Sequence, residues 1–349
     1  MVIYKLILIL SDVKVLIVKL SAFGDIIHSL PALDNLLARP EVDEVHWLVD
    51  ARFAFVTEVF PPQVKIHSID LKGAKPLSAI KQTVQKLRGE KFDLSFDLQG
   101  LMKSAILARL ICKKVYGFDA KIVREKPVSW LQISVPFFDD TTVVQQYLRI
   151  VQAPWVGKYG KSPITYIKPS IHRKFQAELP EVLAGKEPWV VLNMGGSFDT
   201  KELPGHTWQT LEHDLTEQGF HVVWCWGSEK ERQKAHELNR EGIVLPSRFT
   251  MPELCVFLRH SFALIGADTG VLHLAAALGT PTVSFWGPTP SWRNAPLGEL
   301  DQQVESNPEC GPCIQRTCAN FICMDLIKSK DLADSVIKLK NITAQKGKL

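Results

Sequence analysis

Along the chain, short β-branched runs end in small or turn-forming residues and give way to apolar stretches at helical spacing. VKVLIVKL (13–20) runs into Ser21-Ala22-Phe23-Gly24-Asp25, the pattern of a buried parallel strand feeding a glycine turn, with a helix continuing to Leu37. Strands are predicted at 45–49 (VHWLV), 64–69 and 92–98 (FDLSFDL), the last with its own loop at Gln99-Gly100, and a short one at 114–117. Helices are predicted over 75–87, 104–110 and 141–151. This alternation requires right-handed crossovers and a parallel sheet covered on both faces.

Between Ala153 and Pro188 the chain becomes rich in Pro, Gly and Lys, the composition of an interdomain connection carrying edge-strand and helix fragments, with the boundary near Pro169. A second series then begins with WVVLN (189–193). It continues as helix 208–218, strand 221–226, helix 229–241, strand 262–266, helix 271–278 and strand 282–286, and closes with a Cys-rich loop. A final helix is predicted over 331–341, followed by a fraying Lys-rich tail. Two doubly wound α/β halves are the simplest reading. GDIIHSLPAL (24–33) and TGVLHLAAAL (269–278) echo each other. The echo is either a repeat or the common need of any strand-turn-helix unit for small residues followed by apolar ones.

At 349 residues the chain is long enough for two domains. Its 46% apolar and 22% charged residues exclude disorder, collagen and coiled coil as descriptions of the whole. A net charge of +4 is too mild for the dense phosphate-contacting surface of a nucleic-acid binder but suits a small anionic ligand. Lys5, Asp12, Lys14 and Lys19 interrupt the apolar start before it reaches the roughly 18 residues that span a bilayer. No transmembrane helix or signal peptide is expected, and the protein reads as cytoplasmic. Seven Cys, four of them within 310–323, do not form a secreted disulfide framework, so reduced thiols are expected.

The candidate chemistry lies at strand ends. Gly266-Ala267-Asp268-Thr269-Gly270 follows the strand FALIG and opens a helix, whose free N–H groups and positive dipole end suit phosphate. Thr269, Gly270 and the next amides could cradle a diphosphate. Asp268 is either part of that site or the helix N-cap, and His273, one turn in, is either a ligand or a packed helix residue. Asn193-Met194-Gly195-Gly196-Ser197-Phe198-Asp199-Thr200-Lys201 supplies glycines for close approach, hydroxyls on Ser197 and Thr200, and a point charge on Lys201. Trp226-Gly227-Ser228-Glu229 ends a third strand at the same edge, where Glu229 is a candidate acceptor for ribose hydroxyls. In the first half Asp25 is either a general base toward an acceptor hydroxyl or a helix cap. No GxSxG, HExxH or GxxxxGK[ST] pattern occurs, against hydrolase, metalloprotease and P-loop readings.

Together VLIVK (15–19) with SAFGDIIHSLPAL (21–33), DLQGLMKSA (97–105), YGFD (116–119) with VREKP (123–127), and GADTGVLHLAAALGTPTVSFWGPT (266–289) resemble the lipopolysaccharide heptosyltransferases of glycosyltransferase family 9. The resemblance covers residues 13 to about 325 in order, and DLQGLMKSA and VREKP are closer to the type I enzymes. It implies a GT-B fold of two facing Rossmann-like domains with parallel sheets. The acceptor domain would span 1–168, the nucleotide-sugar domain 169–327, and 328–349 would form a helix returning to the first domain. It also implies an inverting, metal-independent transfer of heptose from ADP-L-glycero-β-D-manno-heptose to a Kdo sugar of Kdo2-lipid A, without a cofactor. By similarity Asp25 is the catalytic base, and Ser197, Thr200, Lys201, Asp268, Thr269, Gly270 and His273 form the donor site. Glu229 would hold the ribose, while Arg124 and Lys103 would face the acceptor.

Cys310-x2-Cys313-x4-Cys318-x4-Cys323 departs toward the type II and wider family pattern and leaves the acceptor open. It is a candidate metal cluster or a set of packed or reversibly oxidised thiols, with irregular spacing for a zinc ribbon. The alternatives are a type II or other family 9 transferase with a different acceptor or nucleotide sugar, a GT-B epimerase, and a non-catalytic thiol or metal sensor that keeps a nucleotide cleft. A lipid acceptor would draw the protein to the inner membrane face peripherally, through basic and aromatic residues such as Lys72, Lys75 and Trp130.

Overall fold

The computed structural model describes residues 12–123, 125–156, 164–196 and 198–345. The chain divides into two units between Ile167 and Lys168. The first contains β1 (Val13–Val18), α1 (Phe23–His28), α2 (Leu30–Leu37), β2 (Val42–Asp50), β3 (Lys65–Ile69), α3 (Pro76–Gly89), β4 (Leu94–Asp97), α4 (Met102–Ile111), β5 (Val115–Phe118), β6 (Ile133–Val135) and α5 (Val143–Val156). Its six strands run parallel in the order β3-β2-β1-β4-β5-β6. β1 sits near the middle between β2 and β4, which is why VKVLIV is apolar almost without alternation: Val15, Leu16, Ile17 and Val18 are all fully buried.

The helix expected through Leu37 is two helices. Ser29 ends α1, its hydroxyl donating to the Asp25 and Ile26 carbonyls, and Pro31 sits in the first turn of α2, where its missing N–H costs nothing. A 3₁₀ segment at Ala51–Val59 and strand β6 carried no clear periodic signal in the sequence.

The second unit contains β7 (Trp189–Asn193), α6 (Gly205–Glu217), β8 (His221–Cys225), α7 (Glu229–Leu238), β9 (Ile243–Val244), α8 (Met251–His260), β10 (Ser261–Ala267), α9 (Gly270–Leu278), β11 (Thr282–Trp286), α10 (Ser291–Asn294), β12 (Asp301–Glu305) and α11 (Ser329–Gln345). Its parallel order is β12-β11-β10-β7-β8-β9. The core is aromatic: Trp208 meets Trp224 at 6.0 Å and Phe285 at 5.7 Å between ring centroids. α7 stops at Leu238, short of the expected 241, and α8, β9 and β12 were not foreseen.

Three expectations are corrected. Residues 164–180 hold no helix or strand, and only the 3₁₀ turn Glu181–Leu183 precedes β7. The last helix does not return to the first unit: α11 packs on α6 and buries Leu332, Val336 and Leu339 in the core of the second, because its apolar stripe matches the uncovered face there. The GDIIHSLPAL and TGVLHLAAAL echo is not a repeat of the halves. In the shared strand order 3-2-1-4-5-6, β1 is the first strand of its unit and β10 the fourth of its own, so the two segments occupy different positions. No helix among the described residues is long and apolar enough to cross a membrane.

Candidate functional site

In a sheet of order 3-2-1-4-5-6 the winding reverses between the first and fourth strands, and ligands bind beyond their carboxyl ends. Those strands are β1 and β4 in the first unit and β7 and β10 in the second. Asp25 and Lys103 follow the strands of the first reversal, and Lys201, Asp268, Thr269, Gly270 and His273 follow those of the second.

In the second unit the loop after β7 brings Lys201 to Asp268, at the end of β10. Lys201 Nζ donates to Asp268 Oδ2 at 2.7 Å and to the Asp268 carbonyl at 3.0 Å. His273 Nε2 lies 3.0 Å from the other carboxylate oxygen, and Asn294 Nδ2 is 3.5 Å from Oδ2. Burial works against the charge of Asp268, but the His273 hydrogen bond and the Lys201 charge overrule it and hold the carboxyl well below the usual range. The close approach of the strands depends on Gly266, where a Cβ would stand 3.3 Å from the Asn193 carbonyl oxygen.

The helix cap is Thr269, not Asp268. Its Oγ1 accepts from Leu272 N–H at 3.4 Å and from Asn193 Nδ2 at 3.1 Å, which leaves its own O–H available to a ligand. Gly270 is the first residue of α9, so the orphan amides of that helix start beside the Lys201 and Asp268 pair. His273 is both packed and paired, at 4% exposure.

Other donor candidates are distributed less simply. Ser197 lies outside the described residues. Thr200 is buried and its hydroxyl donates to the Gln315 carbonyl at 2.7 Å, tying the Cys-rich loop to the Lys201 turn. Glu229 is exposed and bidentate with Arg232 on its own helix, which holds its carboxyl below the ordinary value. The carboxylate that closes the turn after β8 is Glu231: it accepts from Gly227 N–H at 2.7 Å and Ser228 N–H at 3.2 Å, and a Cβ on Gly195 would stand 3.0 Å from it. A Ser-x-x-Glu capping box, readable at 228–231, was the signal for it.

In the first unit Asp25 lies in the first turn of α1, and its Oδ2 accepts from Ala22 N–H at 3.3 Å. The carboxylate therefore caps an amide at the start of the helix, as the capping alternative expected. Lys19 Nζ, at the end of β1, lies 3.5 Å from the same oxygen. Burial disfavours the Lys19 charge, yet Asp25, then Tyr147 and Asp97, keep its pKa above the ordinary lysine value. Across the reversal, Gln99 Oε1 accepts from Leu20 N–H at 3.1 Å and Ser21 N–H at 2.9 Å, so the loop after β4 fixes the loop that carries Asp25. Asp97 beneath it is fully buried. Burial pushes its carboxyl up to about 6, against hydrogen bonds from Gln99 N–H, the Ser104 hydroxyl and Gly100 N–H.

Lys103 is exposed in the first turn of α4. Arg124 lies outside the described residues, but its neighbour Glu125 accepts from Met102 N–H at 2.6 Å, which joins the VREKP segment to the start of α4. Arg52 was missed. It follows β2 at the carboxyl edge of the same sheet, half-exposed, with Nη2 2.7 Å from buried Asp50. Arg316 was also missed, within the Cys-rich loop: its guanidinium and the Lys201 ammonium both lie over the Phe198 ring, at 5.9 and 4.7 Å. Cys310, Cys313, Cys318 and Cys323 line one recess with Thr200 and Gln315. Among the described residues, no three of their sulfurs converge within 4.8 Å in the manner of a ligand set.

The sequence profile described as glycosyltransferase family 9 (heptosyltransferase) matches residues 80–322. Lipopolysaccharide heptosyltransferase 1 of Pseudomonas aeruginosa is 31% identical over 329 residues, covering 87% of each chain. The Campylobacter coli protein of the same name is 26% identical over 93% of this chain and 98% of its own. Among solved structures, E. coli heptosyltransferase WaaC with ADP-2-deoxy-2-fluoro heptose superposes with a TM-score of 0.72 at 23% identity, over 93% of this chain and 99% of that one.

Proposed function

The chain belongs to glycosyltransferase family 9, and from that premise we propose that it transfers heptose from ADP-heptose to a Kdo sugar of Kdo2-lipid A, as a heptosyltransferase I. The observation that carries the reading is the Lys201, Asp268 and His273 cluster at the β7–β10 reversal, beside the amino end of α9. Two of the three Lys201 N–H groups are engaged by Asp268, which aims the third at an incoming phosphate oxygen. With Thr269 O–H and the first α9 amides, it can take up the charge that builds on the departing ADP. These groups offer a route without a metal, and the proposed donor site is Ser197, Thr200, Lys201, Asp268, Thr269, Gly270 and His273. Glu231 joins Glu229 as a candidate for the adenosine ribose.

Asp25 acts as the base in this reading. Its carboxylate takes the proton of the acceptor hydroxyl as that oxygen attacks the anomeric carbon from the face opposite ADP, which inverts the configuration. Lys103, Arg124 and Arg52 supply positive charge for an anionic Kdo carboxylate or lipid A phosphate. Residues 1–168 then serve the acceptor and the later residues the donor, at the cytoplasmic face of the inner membrane.

The test is ADP release from ADP-heptose in EDTA, with and without Kdo2-lipid A. Asp25→Asn is the better comparison than alanine, since it keeps the shape beside Lys19. Acceptor-dependent release in the parent that falls at least a hundredfold in Asp25→Asn is the expected result. Release only with heptosylated acceptor moves the assignment to a type II enzyme, and silence with both rejects the heptose reading.

A further inference from the structure

Residues 306–328, between β12 and α11, hold no helix or strand, yet they are fastened at several points to the carboxyl edge of the second sheet. Ser306 N–H donates to the Trp286 carbonyl at 3.0 Å and Ile314 N–H to the Pro288 carbonyl at 2.8 Å, both at or just beyond the end of β11. The Thr200 hydroxyl holds the Gln315 carbonyl from the β7 side, and Met324 and Ile327 are buried in the core. Arg316 is therefore carried on a backbone tied to the turns after two strands, one of them the 3₁₀ turn Asp199–Lys201.

The Arg316 guanidinium lies 5.9 Å from the centroid of the Phe198 ring, the same ring that the Lys201 ammonium meets at 4.7 Å, so the two cations share one neighbourhood. They differ in what neutralises them. Lys201 is paired with Asp268, whose carboxyl is held well below the usual range and stays ionised, so that pair contributes no net charge toward a ligand. Arg316 is exposed, and among the described residues no carboxylate lies within 4.0 Å of it. The acids beside Lys201 in the chain, Asp199 and Glu202, face Lys230 at 4.0 Å and Lys234 at 2.7 Å. A diphosphate carries more negative charge than an offset ammonium and a helix end can balance. A guanidinium adds the missing charge, and its planar fork fits two oxygens of one phosphate.

Strand order says which phosphate. Along this edge the strands run β11, β10, β7, β8. The candidate ribose carboxylates Glu229 and Glu231 follow β8, the Lys201 and Asp268 pair lies beyond β7 and β10, and the 306–328 loop is fastened after β11. A nucleoside diphosphate laid along the edge with its ribose at β8 brings its distal phosphate nearest Arg316.

We propose that Arg316 binds the distal phosphate of the nucleoside diphosphate, as a second cation beside Lys201. This deepens the donor-site reading and rests on it. The probes are ADP and AMP, which lacks that phosphate, each titrated calorimetrically into the full chain in EDTA. Arg316→Gln should bind ADP about ten- to a hundredfold more weakly than the parent does, the worth of a hydrogen-bonded charge, and should bind AMP equally well. Arg316→Lys should recover only part of the loss, because it restores the charge without the fork. Thermal unfolding of both variants should match the parent, since the side chain is exposed. Parent-like ADP affinity in Arg316→Gln overturns the inference, and the donor reading then stands on the ADP that the parent still binds. Equal losses for ADP and AMP overturn the assignment to the distal phosphate. A parent that binds no ADP overturns the inference and the donor reading together.

Discussion

Lys19 and Asp25 form an ion pair at 3.5 Å whose two members differ in exposure, 2% for the lysine side chain and 39% for the carboxylate. The buried member therefore depends on the pair for its solvation, whereas the exposed one stays open to solvent. Asp25→Ala removes the nearest carboxylate from a buried ammonium and should lower stability by about 1–3 kcal/mol, less than a fully buried pair because water reaches the site. Lys19→Met removes the buried charge itself and should leave the melting temperature near the parent's while kcat falls at least tenfold. Urea unfolding and steady-state ADP release on the two variants check this opposition; equal destabilisation in both would sink it.

The Lys201 and Asp268 pair is buried on both sides, at 7% and 12% side-chain exposure. Lys201→Met should cost about 3–5 kcal/mol, because a buried carboxylate loses its cation. The sign with pH follows from the depressed carboxyl of Asp268: its contribution is present above the unfolded value of 3.8 and is lost as pH falls below it. The variant should therefore unfold at a higher pH on acid titration than the parent, and ADP affinity should fall with it. Lys201→Arg should not restore affinity, since a planar guanidinium cannot occupy the ammonium position against Asp268. Isothermal titration with ADP and acid titration by circular dichroism measure both effects.

Asp97 has the opposite sign. Its carboxyl titrates near 6 in the folded chain against 3.8 ordinarily, so the folded state holds its proton more tightly and stability falls as pH rises through that window. The shift corresponds to about 3 kcal/mol once the group is charged. Asp97→Asn keeps an oxygen for the Gln99 and Gly100 amides and a donor toward Ser104. Its melting temperature should be flatter than the parent's between pH 4 and 6, and a parent-like slope would remove burial of Asp97 as the cause.

The thiols should separate by reactivity. Cys310, Cys313 and Cys318 are exposed, Cys323 is half-buried with its thiol pushed up by burial, and Cys225 is buried with its thiol at about 12. Alkylation of the native chain, read by mass spectrometry, should label the first three together, Cys323 later, and Cys112, Cys225 and Cys255 only after unfolding. Early loss of Cys225 would contradict the core packing of β8.

The two parallel sheets were legible in the amino-acid pattern, because fully buried strands such as VLIV and WVVLN must be apolar on both faces and cannot be mistaken for amphipathic ones. That pattern also determined which turns carry Asp25, Lys201 and Asp268, because turn chemistry is local. Weakly periodic elements such as β6, β9 and β12 were beyond it, as was the seat of α11, since an amphipathic stripe states that a partner exists without stating which. Tertiary structure alone decided that Lys201, 67 residues from Asp268, bonds to it, and that Gln99 holds the amides beside Asp25. It also assigned the turn-closing role to Glu231 over Glu229. These are matters of a few ångströms between segments distant in the chain, fixed by strand order at the winding reversal, and no local pattern encodes that order.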